Sequence, residues 1–90
     1  MNTSTIDNAE SAILARVIAP DEPTLPVAVA TELLKWGFPE VDKQRMSDLA
    51  AKARLGTLSA DEQVDIESYE RISSFLGLVK SKARQSLQNR

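Results

Sequence analysis

The sequence predicts an all-α fold of four helices, the last of them long and amphipathic. Three observations carry that expectation. Apolar residues return at intervals of three and four along most of the chain. No five-residue segment alternates apolar and polar residues with β-branched enrichment, and no Asn-Gly or Asp-Gly pair marks a hairpin. Proline, glycine and serine stand where helices begin and end.

The first helix is expected over about 7–18, where Ile6, Ala9, Ile13 and Val17 form a stripe widened by Leu14 and Ile18. Asp7 and Glu10 have the spacing of a capping-box variant at its start. Pro20, Pro23 and Pro26 fall within seven residues; each removes a backbone donor and restricts the residue before it, so 19–25 reads as a connector. Pro26 then opens a second helix, about 26–36, with Ala30, Leu33 and Leu34 on its apolar face and Gly37 as its stop. A third helix, about 39–55, begins at Pro39 and Glu40, carries Met46, Leu49, Ala50 and Ala53 as a narrow stripe, and meets Gly56 as a left-handed cap. Ser59 precedes Glu62 by three residues, a capping box, and opens the last helix, about 60–88. Its pattern of Tyr69, Ile72, Phe75, Leu76, Val79, Ala83 and Leu87 runs for roughly 45 Å if unbroken, with Gly77 as the weakest point. That length exceeds what three shorter helices can cover, so part of it is expected to project or to pair with another chain.

Ninety residues hold one domain, in which about 60–65% of the unfolded surface is buried. With neither His nor Cys, the chain has no imidazole or thiolate for a zinc site of the usual kind, a His-based triad, a Cys nucleophile or a disulfide. The four aromatic residues are Trp36, Phe38, Tyr69 and Phe75, so the core is built from Ala, Leu, Ile and Val, and a partner is a natural way to complete it. No apolar run reaches the roughly 20 residues of a membrane span, and Met1–Asn8 lacks a signal-peptide shape, which makes the cytoplasm the default location.

Gly56 to Glu62 looks like the second half of a calcium loop, but positions 1, 3 and 5 of that loop would be Ala51, Ala53 and Leu55, which offer no oxygen ligand. Paired carboxylates such as Asp61 and Asp65, one turn apart, have a spacing that could hold magnesium or do acid–base work, yet no Gly-rich phosphate loop or Arg positioned for an anion accompanies them. No catalytic residue, metal ligand or cofactor site is therefore assigned. Residues 1–70 carry a net charge of −7 and residues 71–90 one of +5. The bland account is that acids sit at the positive end of the last helix dipole and bases at its negative end. The functional one is a basic tail that meets an acidic partner or phosphates. Overall acidity argues against nucleic acid binding by this chain alone, and Lys43-Gln44-Arg45 is a weak recognition signal for a helix-turn-helix. Trp36 and Phe38 flank Gly37 at one interhelical corner, either closing the core or anchoring a partner.

The run from Leu49 to Gln63, followed by Tyr69 and by Ser81-Lys82-Ala83-Arg84-Gln85-Ser86-Leu87, resembles a group of small bacterial helical proteins with the pattern LAxKARxGTLTxEEQxEIxxYxxVxxLLxLLxSKARxSL. Ile13 to Ile18, Pro20 and the Phe38-Pro39-Glu40 corner are also similar to that group, so the likeness covers most of the chain. Ser59 stands for the usual Thr, which preserves capping, while Ser73-Ser74-Phe75 departs from the pattern. Such proteins are often encoded beside an HNH-type nuclease, an arrangement similar to toxin–antitoxin or immunity pairs. The resemblance implies an antitoxin-like inhibitor whose acidic surface mimics nucleic acid. The expected mechanism is helix-in-groove docking, with Phe75, Leu76, Val79 and Leu87 giving apolar area, Lys80, Lys82 and Arg84 steering the tail, and Trp36 and Phe38 as further contacts. Two other readings compete: a homodimeric structural protein paired along Tyr69, Ile72, Leu76, Val79 and Ala83, and a small DNA-binding regulator.

Overall fold

A computed structural model describes residues 3–88, with side chains from residue 9 onward, and is all-helical in the order α1 (Thr3–Ile18), α2 (Val27–Leu33), α3 (Glu40–Leu55) and α4 (Ala60–Gln88). Helix α1 begins four residues earlier than its expected start, because nothing between Thr3 and Asp7 interrupts a helix. The expected capping position, Asp7, thus lies inside α1, and its side chain, like that of Ile6, is outside the described ones. Pro20 ends the helix, and Ala19 before it turns left-handed at φ 51° while its N–H still donates to the Ala15 carbonyl at 2.8 Å.

Helix α2 is shorter than expected. It stops at Leu33, and the Lys35 and Trp36 amides fold back onto the Glu32 and Leu33 carbonyls at 3.0 and 3.1 Å, a tightened three-residue turn. Gly37 is not left-handed, so it is not the cap that its position suggested; the turn has already closed the helix. Pro26 supplies no side-chain cap at the other end. The neighbouring Leu25 amide instead donates to Ser86 Oγ of α4 at 3.1 Å.

The α3–α4 link forms as the sequence dictates. Gly56 is left-handed at φ 70°, its N–H meets the Ala53 carbonyl at 3.1 Å, and the Thr57 N–H meets that of Lys52 at 3.0 Å, the two bonds of a Schellman motif. Three residues on, the Glu62 N–H donates to Ser59 Oγ at 3.1 Å and the Ser59 N–H to Glu62 Oε1 at 2.9 Å, which completes the capping box. Lys52 Nζ also pairs with Glu62 Oε2. The Lys52 ammonium, then the Ser59 amide, hold the Glu62 carboxyl down to about 2 from its ordinary 4.5. A depressed carboxyl contributes stability in full above 4.5 and loses it as pH falls through about 2. A carbon-detected titration of the Glu62 carboxyl is expected to show that low midpoint in the native chain. In Lys52→Met the midpoint is expected to move back toward 4.5.

The chain divides into two units, Gly37–Ile72 and the residues up to Trp36 together with those from Ser73 onward, so α4 contributes to both. In the first, α3 and the opening of α4 enclose Leu49, which is 1% exposed. Asp42, Arg45 and Met46 are half-buried on the same face, whereas Ala50 and Ala53, expected in the stripe, are exposed. Alanine carries too little apolar area to choose a face, and the long side chains at 42, 45, 46 and 49 choose it. In the second unit the fully buried residues among those described are Ala30, Ala83 and Ser86. The last stretch of α4 is therefore no projecting tail.

Helix α4 runs through Gly77 without a break, and a Cβ built there meets nothing within 4 Å. Gly77→Ala is expected to raise the unfolding free energy by about 0.5–1 kcal/mol, since alanine loses less backbone entropy in a helix and no neighbour objects. Urea denaturation, with an unchanged slope and a higher midpoint, checks it.

Candidate partner-binding surface

The residues expected to face a partner fall into both units. Within the second unit, Phe75, Leu76, Val79 and Leu87 are each half-buried by their own chain. Lys80 and Lys82 are committed as well: Lys80 Nζ donates to the Trp36 carbonyl at 2.8 Å, and Lys82 Nζ to the Ile18 carbonyl at 2.6 Å. Both acceptors lie where a helix or its closing turn has run out of backbone donors, so the ammonium groups cap other segments. This revises the dipole account, for the last turn of α4 holds no basic residue. Arg90 lies outside the described residues. Arg84 is exposed, and Trp36 keeps 45% of its surface in solvent.

Phe38 belongs to the other unit, where its ring meets the edge of Tyr69 at 5.7 Å and 73°. The perpendicular pair engages the Phe38 ring within its own unit, where the residue is half-buried. Tyr69 donates its hydroxyl to Asp42 Oδ1 at 2.7 Å, and that bond, followed by desolvation, raises the phenol above its ordinary value of 10.0. One turn back, Asp65 pairs with the Arg45 guanidinium at 2.9 Å, and that bond holds the arginine proton more tightly than in a free side chain. Asp65 is thereby engaged with a cation, while Asp61 is exposed. No apolar or capping pattern in the sequence marks this Asp42, Arg45, Asp65 and Tyr69 group. Its only trace there is that the positions recur at helical spacing within α3 and within α4.

The homodimer seam is also redistributed. Ala83 is fully enclosed, Tyr69 is half-buried against Asp42, and Ile72 is exposed. What the structure leaves open is a different set of large apolar side chains. Val17 of α1 is 75% exposed, and Val41 and Leu55 at the two ends of α3 are 74% and 76% exposed. Among the described residues no three carboxylates gather as metal ligands, and no helix is long and apolar enough to cross a membrane. No family model, no curated protein and no solved structure matches the chain.

Proposed function

We propose that this chain is a non-enzymatic protein-binding module, an antitoxin- or immunity-like inhibitor of a partner nuclease. One observation carries the binding role: among the described residues the fully buried apolar ones are Ala30, Leu49 and Ala83, while nine large apolar side chains stand exposed. Scattered exposed aliphatics are ordinary on a large protein, but a small one with so little enclosed apolar volume gains by covering them. The nuclease follows from the resemblance of residues 49–63 and 81–87 to proteins encoded beside HNH-type enzymes. An acidic hairpin, net −3 over residues 37–72, suits a basic cleft.

Trp36 and Arg84 are the contacts best placed to act, being exposed where Lys80 and Lys82 are occupied. Truncation after Gly77 is a poor test of this surface, since it removes Ala83 and Ser86 and with them the interior of one unit. The chain is instead expressed with its neighbouring genes and whatever co-purifies is identified by mass. A stoichiometric nuclease that gains activity when this chain is stripped away supports the reading. Trp36→Ala is then expected to weaken that complex by ten-fold or more, as a truncated aromatic hot spot does. A clean homo-oligomer without a companion overturns the reading in favour of self-association. Affinity for DNA that falls steeply with salt overturns it in favour of a regulator.

A further inference from the structure

We propose that α1 is a releasable arm, latched to the second half of α4 through Lys82 and hinged at Ala19-Pro20. The argument stays within one unit and does not depend on the partner's identity. No described side chain of α1 is fully buried: Leu14, Ala15 and Ile18 are half-buried, whereas Ile13 and Val17, on the same apolar stripe, are 50% and 75% exposed. From Ala9 to Ile18 the described side chains enclose little apolar area, and a segment so weakly tied by packing opens before the whole molecule does.

The backbone at its exit opposes closure. Ala19 is the one described non-glycine residue with positive φ, 51°, and it stands directly before a proline, which disfavours every conformation but an extended one. Against this strain act the Glu22 N–H, which donates to the Ala19 carbonyl at 3.0 Å, and a charged contact from Lys82 Nζ to the Ile18 carbonyl at 2.6 Å. That carbonyl belongs to the last turn of α1, where acceptors lack intrahelical donors and the helix dipole is negative.

The far side of the latch is firm. Lys82 adjoins Ala83, which has no exposed surface, and one turn on Ser86 accepts from the Leu25 amide at 3.1 Å. The connector is thus pinned at Leu25 by a second contact, and the segment free to move is the one before it. Release uncovers Leu14 and Ile18 beside Ile13 and Val17, joining the two halves of the stripe into one apolar face.

Hydrogen exchange read by mass spectrometry on the full chain tests the latch. Peptides from α1 are compared with peptides from α3 and from residues 80–86, in the native chain, in Lys82→Met and in Lys82→Arg. In the native chain α1 is expected to exchange faster than the other two. Lys82→Met is expected to accelerate α1 alone by about ten-fold, the loss of a charge-assisted bond, and Lys82→Arg to restore most of the protection. Unchanged α1 exchange in Lys82→Met overturns the proposal. So does acceleration of α3 by the same factor, or a native chain in which α1 and α3 exchange together, because either means that α1 opens only with the whole molecule.

Discussion

Leu49→Ala is expected to lower the unfolding free energy by about 2–4 kcal/mol, the usual range for emptying a buried leucine site. Leu49 is the one fully buried large apolar side chain among the described residues, at 1% exposure, so its loss leaves the α3–α4 hairpin with half-buried neighbours and no centre. Against a total of about 5–10 kcal/mol for a chain of this length, that is from about a fifth to about four fifths of the stability. Thermal unfolding followed by circular dichroism is expected to shift down by about 10–25 °C. The exposed Leu55 is the matched control: at 76% exposure its truncation to Ala is expected to change stability by less than about 0.5 kcal/mol.

Ala83→Leu is expected to destabilise by about 1–3 kcal/mol, for the opposite reason. Ala83 and Ala30 both have no exposed surface, and Ser86 beside them is 2% exposed. Three small residues at the described buried positions of this unit mean that segments approach there on short side chains, and a leucine must displace backbone or push neighbours off their rotamers. If equilibrium denaturation instead finds Ala83→Leu as stable as the native chain, that interior is looser than its exposures indicate. The variant also bears on the dimer seam, since an Ala83 that faced another chain would accept leucine at little cost.

Much of this fold was legible because its punctuation is local. The capping box at Ser59 and Glu62 and the left-handed Gly56 depend on residues three to five apart, and both formed where the spacing put them. The long α4 was legible from its period, and its passage through Gly77 follows from helix formers on both sides. Faces were harder. Alanines at 50 and 53 carry almost no orienting information, so apolar spacing alone points the α3 stripe toward them and away from Asp42 and Arg45. The candidate surface was the least legible part. Phe38 and Trp36 sit two residues apart, yet one packs on Tyr69 and the other is open. Lys80 and Lys82 read as steering charges because their acceptors, the carbonyls of Trp36 and Ile18, are 44 and 64 residues away, and no local pattern records such a bond.

Those distant acceptors impose an order of events on synthesis. Ile18, Leu25 and Trp36 are made before the groups that fasten them, Lys82, Ser86 and Lys80. At about 5–20 residues per second, Ser86 follows Trp36 by roughly 3–10 s. The Gly37–Ile72 hairpin, whose side-chain bonds span only 3 to 27 residues, can close within that interval. For those seconds the leading segments carry their apolar residues unfastened, and a nascent chain in that state is the form most open to chaperones, to proteases and to capture by another protein.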